Sequence, residues 1–253
     1  MTDPKRRANA RIGTCGFAEA QDKTFRDFAI LEVQQTFYQP PMVSTAEKWR
    51  AKAPKEFTFT LKAWQLLTHE PTSPTYKQLK EDLSDADLAK AGGFRWNAVT
   101  RTAWQCTQVI ADALDAEAVV FQTPKSFRPT AENLRRPARF FEQADRRGRR
   151  MVFEPRGDAW DDATVRKLVT DLELTHAVAP FLRRPVGRGL RDFRLHGRPA
   201  YHYRYRYTDE DLRELQGMLS WAWPNWVLFN NDAMAADAVR FLHALGPGDP
   251  NAG

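Results

Sequence analysis

Residues 151–160, MVFEPRGDAW, place two ionisable side chains at the end of an apolar run that is typical of a buried strand. Glu154 and Arg156 are two positions apart, so they lie on the same face of an extended chain. Residues spaced in this way are about 6–7 Å apart along a strand, so we expect each side chain to meet partners from adjacent strands rather than the other. A carboxylate can move a proton and a guanidinium can hold an anion. The stretch therefore predicts either a structural ion pair or the wall of an active site.

Other strand-like runs also carry polar side chains near their C-terminal ends. Alternation along ILEVQQTFY puts Glu32, Gln34, Thr36 and Tyr38 on one face. The same rule, applied to other runs, selects Lys62 in EFTFTLKA, Gln122 in AVVFQTP, and Arg194 and His196 in DFRLHG. In WVLFNN, Asn230 and Asn231 both lie at the strand end. Parallel barrels build their active sites at the C-terminal ends of their strands, so these side chains are candidates for such a site.

The candidate side chains fall into two chemical groups. Carboxylates and imidazoles move protons, whereas cationic and amide side chains hold carboxylates, phosphates or oxyanions. The predicted catalytic residues are Glu154, His196, Lys62 and Glu32. The predicted substrate-binding residues are Arg156, Arg194, Gln122, Tyr38, His69, Asn230 and Asn231.

Two other interpretations of these residues stay open. Buried charges can form a purely structural network, although apolar residues in their place would often be at least as stable. Glu32, Glu154 and the histidines His69 and His196 are also able to bind a divalent metal, but no spacing such as HExxH supports this. We predict no metal site, and the sequence identifies no cofactor.

Eight strand-like runs alternate with helix-like segments along the chain. The predicted strands cover residues 10–16, 30–38, 56–63, 116–124, 149–155, 174–180, 191–197 and 225–231. The helical pattern predicts one helix capped by Thr45, one over 131–148 that ends on Gly148, and one over 208–223 capped by Thr208. Eight such units in about 250 residues match a (β/α)8 barrel. A doubly wound sheet fits the same alternation, but the sequence has neither a GxGxxG nor a Walker motif, which favours the barrel.

We therefore predict an α/β fold, a single (β/α)8 TIM-type barrel with a long insertion after the third strand. One domain is expected over residues 1–253, with residues 1–9 and 246–253 as mobile ends. The insertion, residues 64–97, is polar and rich in turn-forming residues. In a barrel it would cover the C-terminal face.

The composition predicts a folded protein without a membrane partner. Apolar residues make up 42% of the chain and charged residues of both signs 28%, which excludes general disorder. No apolar run approaches the roughly 18 residues of a membrane span, and the N-terminal residues lack the apolar middle of a signal peptide. We expect a cytoplasmic protein. Its only cysteines, Cys15 and Cys106, form neither a disulfide framework nor a zinc-binding spacing.

The net charge of +6 is concentrated in one segment. Residues 183–207 contain eight arginines and one acid, Asp192, and four tyrosines alternate with the last arginines. Such a segment can grip phosphates and stack bases, which makes nucleic acid an alternative partner. It can equally be a solvated strand and loop.

The sequence resembles the YecE-like family, also called the domain of unknown function 72. The resemblance rests on motifs that occur in order through nearly the whole chain: IGTCG, EVQQTFY, FTFTLKAWQLLTH, AVVFQTPKSF, VFEPRGDAW, FRLHG, DEDL and FNND. It implies a TIM-type barrel with a polar pocket at the C-terminal face, lined by the candidate residues named above. It implies no particular reaction. Two residues depart from the pattern, because Gln34 stands where the family usually has Asn and Ala179 where it often has Asp.

Three functions are consistent with these residues. The first is an enzyme, a hydrolase or an isomerase, that uses acid/base chemistry on a phosphorylated, carboxylated or sugar-like substrate held in an anion-binding pocket. The second is a barrel that binds or processes nucleic acid. The third is a barrel that binds a ligand without catalysis. The oligomeric state, the substrate and the use of a metal are not determined by the sequence.

Overall fold

A computed structural model describes residues 9–199 and 201–246. Of the predicted mobile ends, 1–9 and 246–253, residues 1–8 and 247–253 lie outside the described residues. Within this range the strands follow the predicted order. They are β1 (Ala10–Cys15), β2 (Ile30–Val33), β3 (Thr58–Lys62), β4 (Ala118–Gln122), β5 (Arg150–Glu154), β6 (Thr175–Val178), β7 (Arg191–Leu195) and β8 (Asn225–Phe229).

Helices separate most of these strands. They are α1 (Gln21–Asp27), α2 (Gln35–Tyr38), α3 (Val43–Lys52), α4 (Gln65–Thr68), α5 (Asp85–Leu88), α6 (Ala98–Ala113), α7 (Ala131–Gln143), α8 (Asp162–Asp171), α9 (Asp209–Met218) and α10 (Met234–Leu245), with a 3₁₀ helix at Pro74–Gln78. Between β6 and β7 the described chain is irregular.

The strands form a closed barrel in which the spatial order β1 to β8 follows the chain order. The predicted eight-stranded parallel barrel is therefore confirmed. Two compact units are distinguished within the described residues. The first contains the residues up to Glu32, Lys52–Thr58 and those from Thr175 on, and the second contains Val33–Ala51 and Phe59–Leu174. The expectation of one domain stays a prediction.

The first unit is organised by β1 and β8. β1 pairs with β8 from Ala10↔Asn225 to Thr14↔Phe229 and with β2 from Gly13↔Ile30 to Cys15↔Glu32. Its apolar core joins β7 and β8 to α9 and α10. The buried members are Ile12, Phe28, Val178, Phe193, Leu195, Tyr207, Leu212, Leu215, Leu219, Val227, Phe229, Ala238 and Phe241.

The second unit is organised by β4, which pairs with β3 and β5. Phe94 lies at the centre of an aromatic cluster that packs on the outer face of these strands. Its ring centroid is between 5.6 and 6.2 Å from the rings of Phe121, Phe127, Phe140, Phe141 and Phe153. Each such side chain contributes about 1.5–3 kcal/mol when fully buried, so this cluster holds the helices against the strands that position the polar residues.

The ends of several elements differ from the sequence prediction. β2 ends at Val33, and the rest of the predicted strand 30–38 forms the helical turn α2. α3 begins at Val43, so Thr45 lies inside the helix and does not cap it. α7 ends at Gln143 rather than Gly148, and α9 ends at Met218 rather than near residue 223. In each case a local pattern continued beyond the point where the backbone turned.

The reason for the early end of β2 is visible at Thr36. Its hydroxyl oxygen lies 2.9 Å from the Val33 carbonyl and 2.7 Å from the Lys62 carbonyl. A threonine side chain can thus bond the backbone three residues earlier, which supports a helical turn over continued strand. Tyr38, predicted to share a strand face with Glu32, therefore lies at the end of α2 and not on β2.

Residues 63–97 connect β3 to α6 and include α4, the 3₁₀ helix and α5. Their two ends are bonded together, because Gly92 N donates to Leu66 O at 2.7 Å. A side chain at Gly92 would meet the His69 carbonyl at 2.0 Å, and the φ of +77° also favours glycine. That this segment is an insertion, and that it covers the C-terminal face, stay predictions.

Among the helices of the described residues, none has both the length and the apolar character needed to cross a membrane.

Candidate functional site

Three neighbouring strands of the second unit end in polar residues that contact each other. Lys62, Gln122 and Glu154 are the last residues of β3, β4 and β5, and Gln122 is the register partner of Glu154. Gln122 Oε1 accepts a hydrogen bond from Lys62 Nζ at 3.1 Å and another from Arg156 Nη2 at 3.0 Å. We call Lys62, Gln122, Glu154 and Arg156 the Glu154 cluster.

The Glu154–Arg156 pair differs from the sequence prediction. Arg156 Nε donates to Glu154 Oε1 at 3.2 Å, so the two side chains contact each other directly. The expectation that each would meet only partners from other strands was wrong for this pair. β5 ends at Glu154, and the Arg156 N–H bonds the Thr123 hydroxyl at 3.3 Å, so the chain has left the extended path on which the expected separation depended. The expected contact of Arg156 with an adjacent strand is present, because it bonds Gln122.

The Glu154 cluster combines deep burial with partial access. Glu154 is 2% exposed, Lys62 6%, and the Arg156 side chain 12%. Lys62 Nζ also lies 4.2 Å from the centroid of the Phe37 ring, an arrangement in which the negative face of the ring attracts the ammonium. Lys62 and Arg156, the two cations of the cluster, share one neutral amide oxygen, and Arg156 also contacts the carboxylate of Glu154.

His69 lies beside this cluster, just after α4. Its ring is edge-on to Phe37 at a centroid distance of 4.7 Å, and its Nδ1 is 2.8 Å from the Thr68 hydroxyl. Burial lowers the pKa of His69 to about 3, and the positive charges of Lys62 and Arg156 act in the same direction. The imidazole is therefore neutral at neutral pH and can donate or accept one hydrogen bond without carrying charge.

Tyr38 contributes its backbone to the same unit. Its carbonyl accepts hydrogen bonds from Trp64 Nε1 at 3.2 Å and Gln65 Nε2 at 2.9 Å. Its ring packs edge-on against Phe37, with the centroids 5.0 Å apart. Thr36, which sequence reasoning did not select, anchors α2 to the carbonyl of Lys62. The EVQQTFY motif was the signal for this residue, but its side chain was assigned to a strand face.

A second group of polar residues lies in the first unit. Cys15 and Glu32 are register partners near the ends of β1 and β2, and Arg194 is the penultimate residue of β7. Arg194 forms a charged hydrogen bond with Glu32, and its Nη2 lies 3.6 Å from Cys15 Sγ. Glu32 and Arg194 are both 0% exposed. We call these three residues the Glu32 cluster.

The Glu32 cluster consists of a fully buried ion pair with a thiol beside it. Burial raises the pKa of the Cys15 thiol well above its usual value, and the negative charge of Glu32 adds to the effect, while Arg194 opposes it. Cys15 is thus a neutral thiol at neutral pH and a poor nucleophile. The roles predicted for Glu32 and Arg194 stay predictions.

The remaining candidates lie at the ends of β7 and β8. His196 is 1% exposed, and its ring packs near those of Tyr201 and Tyr203. Asn230 N donates to Leu195 O at 2.9 Å. The Asn231 amide donates to Tyr205 O at 2.7 Å and Asp237 Oδ2 at 2.8 Å. Asn231 therefore orders the loop after β7, and its predicted contact with substrate stays a prediction.

The arginine-rich segment 183–207 does not form one basic surface. Arg194 is paired with Glu32, and Arg198 bonds Asp211 at 2.5 Å and Glu214 at 2.9 Å. Four of its arginines are exposed: Arg184, Arg188, Arg204 and Arg206. β7 occupies only Arg191–Leu195, and the tyrosines follow in a loop. Nucleic-acid binding by this segment stays a prediction.

Among residues 9–199 and 201–246, no three His, Cys, Asp or Glu side chains come together in a group that could hold a metal ion. Ala179, where the family often has Asp, directly follows β6, and its carbonyl accepts from Leu182 N at 2.9 Å. An alanine side chain can supply neither a base nor a ligand at that strand end.

Comparison with known proteins identifies a family and a fold. The family model described as "Protein of unknown function DUF72" matches residues 22–247. No curated protein matches the sequence. A DUF72 family protein from Enterococcus faecalis V583 is similar in structure, with a TM-score of 0.71 at 16% identity over 96% of this chain and 100% of that chain.

Two further solved structures share the fold at lower similarity. D-psicose 3-epimerase, solved in the presence of D-fructose, has a TM-score of 0.54 at 10% identity over 91% of this chain and 92% of that chain. A xylose isomerase domain containing protein from Salmonella typhimurium LT2 has a TM-score of 0.55 at 12% identity over 90% of this chain and 92% of that chain. At such identities the likeness shows the fold alone.

Proposed function

The chain belongs to the DUF72 family, and from this premise we propose that it is an enzyme that uses the Glu154 cluster for acid/base chemistry on a small sugar-like substrate bearing a carboxylate or phosphate. The observation that carries the proposal is the pair of hydrogen bonds that Lys62 and Arg156 donate to Gln122 Oε1, next to the carboxylate of Glu154.

The chemistry of the cluster suits an anionic ligand. Lys62 and Arg156 bring two cationic side chains to one amide oxygen. An incoming carboxylate or phosphate can bond such cations through charge-assisted hydrogen bonds, and the planar guanidinium of Arg156 can bind it in a bidentate manner. Arg156 is the most exposed of the three charged members, which makes it the first contact for a ligand.

Glu154 is the proton-transfer residue in this proposal. Its carboxylate is almost fully buried and is held by the guanidinium of Arg156, so its orientation is defined. A fixed carboxylate next to a bound anion can remove a proton from a neighbouring carbon or hydroxyl and return it. Lys62 would stabilise the negative charge that develops on the substrate oxygen, and His69, as a neutral imidazole, would donate or accept a hydrogen bond there.

The substrate class draws on the fold. Barrels place their chemistry at the C-terminal strand ends, where Lys62, Gln122 and Glu154 lie. The similarity to an epimerase solved with D-fructose and to a xylose isomerase domain containing protein supports a sugar-like ligand. The roles of Glu32 and His196 as further catalytic residues remain part of the proposal, as does a hydrolytic or isomerising reaction.

The test uses D-fructose, D-xylose, D-fructose 6-phosphate and D-glucuronate with the wild-type protein in D₂O. Loss of a carbon-bound proton signal by NMR reports proton abstraction, and phosphate release in the same sample reports hydrolysis. We expect the wild type to act on at least one of the charged sugars and Glu154→Gln to lower the rate by about 100-fold or more.

Glu142→Gln is the matched control, because Glu142 is an exposed carboxylate on α7 and its loss should leave the rate unchanged. Thermal unfolding shows whether each variant is folded. A folded Glu154→Gln protein with the wild-type rate would remove this mechanism. Reaction of none of these sugars with the wild type would contradict the proposed substrate class, and binding without turnover would favour a non-catalytic barrel.

A further inference from the structure

Four tyrosines follow β7 at alternate positions, and two of them are used inside the protein. Tyr207 is 1% exposed, and its hydroxyl accepts a hydrogen bond from Gly197 N at 2.7 Å. The Tyr205 hydroxyl donates to Asp211 Oδ2 at 2.7 Å. These two side chains therefore hold the loop in place.

Tyr201 and Tyr203 both pack against His196, the first residue beyond β7. The ring centroid of His196 is 5.2 Å from that of Tyr201 and 5.9 Å from that of Tyr203. His196 is 1% exposed, whereas Tyr203 is 42% exposed. A partly exposed tyrosine thus packs perpendicular to a buried imidazole.

The backbone beneath Tyr203 is fixed on both sides. Tyr203 O accepts from Asp232 N at 2.7 Å, and Tyr205 N donates to His202 O at 2.8 Å. The Asn231 amide donates to Tyr205 O at 2.7 Å. Because the loop is already ordered, a ligand that covers the ring would lose little free energy to ordering it. Tyr203 is therefore exposed on a loop whose backbone is held in place by hydrogen bonds.

We propose that Tyr203, with Tyr201 beside it and His196 beneath, is an aromatic platform that binds the C–H face of a sugar ring. The face of an aromatic ring carries negative charge, and the C–H groups of a sugar carry a small positive charge, so the two surfaces attract while water is displaced from both. The inference rests on the proposed function only for the class of ligand. This surface of the first unit would then bind sugar in its own right.

The geometry favours a sugar over a run of nucleobases. The Tyr201 and Tyr203 rings make angles of 54° and 90° with the same imidazole, so they cannot be parallel to each other. Successive stacked bases need successive rings of matching orientation. Arg198, the arginine that precedes the loop, is engaged by Asp211 and Glu214 and lies over the Phe181 ring at 4.2 Å, which removes one cation from any phosphate.

The test is saturation-transfer NMR of the full-length protein with D-xylose, D-fructose and, separately, adenosine monophosphate. We expect saturation of the sugar ring C–H protons in the wild type and a loss of about three- to ten-fold in Tyr203→Ala. Tyr203→Phe, which keeps the ring, should retain the signal. Trp223→Ala, which removes another exposed aromatic residue, should also retain it.

Three outcomes would overturn the platform: no sugar saturation in the wild type, unchanged saturation in a folded Tyr203→Ala protein, or Tyr203-dependent saturation of adenosine monophosphate alone. Glu154→Gln separates this inference from the proposed function. Turnover that persists in Glu154→Gln would remove the proposed function and leave the platform standing. Unchanged saturation in Tyr203→Ala would remove the platform and leave the proposed function standing.

Discussion

At the scale of single residues, the surroundings of His69 change its chemistry. A histidine in water has a pKa near neutrality, so it normally exchanges protons at physiological pH. In the folded chain, burial, together with the charges of Lys62 and Arg156, lowers the pKa of His69 to about 3. His69 is therefore a neutral hydrogen-bonding group rather than an acid at pH 7.

This lowered pKa makes the free energy of unfolding depend on pH. Between about pH 6.5 and pH 3 the unfolded chain binds a proton at His69 and the folded chain does not. Stability therefore rises with pH through this window and is lost as the pH falls below 6.5. From pH 6.5 to pH 5 we expect His69 to account for a loss of up to about 2 kcal/mol, measured by urea unfolding.

His69→Gln should remove this contribution and flatten the pH dependence between pH 7 and pH 5. His202→Gln is the control, because His202 is exposed. An equal pH dependence in the wild type and in His69→Gln would show that His69 titrates normally in the folded protein.

At the scale of elements, the start of α9 was predicted correctly, whereas the predicted cap of α3 at Thr45 and the predicted end of β2 were wrong. Thr208 caps α9 and forms a capping box with Asp211, as the TDED pattern indicated. A cap is a contact between residues three positions apart, so the local sequence specifies it. At the end of β2, Thr36 bonds the carbonyl of Val33 locally but also that of Lys62, which is 26 residues further along the chain.

The contact between β1 and β2 gives a prediction at this scale. A Cβ atom added at Gly13 would lie 1.7 Å from the carbonyl oxygen of Ile30, its register partner on β2. Backbone atoms cannot move aside as a flexible side chain can, so Gly13→Ala should force the strands apart. We expect a destabilisation of about 3 kcal/mol or more, because inserting atoms into a packed region usually costs 1–3 kcal/mol.

Gly217→Ala is the matched control for this measurement. Gly217 lies within α9, and an added Cβ would meet no atom within 4 Å. Alanine should stabilise the helix there by about 0.5–1 kcal/mol. Chemical denaturation of both variants compares the two glycines, and a Gly13→Ala protein as stable as the wild type would show that β1 and β2 can separate without loss.

At the scale of the whole molecule, the net charge of +6 attracts polyanions in general. Folding distributes the arginines unequally, since Arg194 is buried with Glu32 while Arg204 and Arg206 stay exposed. Counting arginines along the sequence therefore overstates the charge that segment 183–207 offers to a ligand.

A salt titration separates general attraction from a dedicated nucleic-acid surface. We expect labelled DNA or RNA to bind only weakly at about 50 mM salt, in the range of non-specific complexes, and to dissociate as salt is raised. Replacing Arg204 and Arg206 together by neutral residues should reduce the slope of the log binding constant against the log salt concentration by about two.

Neutralising two exposed arginines of α7, Arg135 and Arg139, should have the same effect if only the net charge matters. Tight binding that is lost only with Arg204 and Arg206 would contradict this expectation and favour the nucleic-acid alternative.

The sequence by itself determined the class of fold and the positions of the polar strand ends. Alternation with a period of two in strands and about 3.6 in helices is a local property, and eight repeats of it predicted the barrel that the structure has. Lys62, Gln122 and Glu154 were recognisable as strand-end residues for the same reason.

Only the tertiary structure decided which side chains meet. In the folded chain Arg156 contacts Glu154, and both cations of that cluster bond Gln122. Glu32 pairs with Arg194, and the pKa of His69 is lowered. These outcomes depend on the register between strands, on where each strand stops and on the burial of each group. Apart from Glu154 and Arg156, which are two residues apart, these partners come from segments far apart in the chain, so no local pattern contains that information.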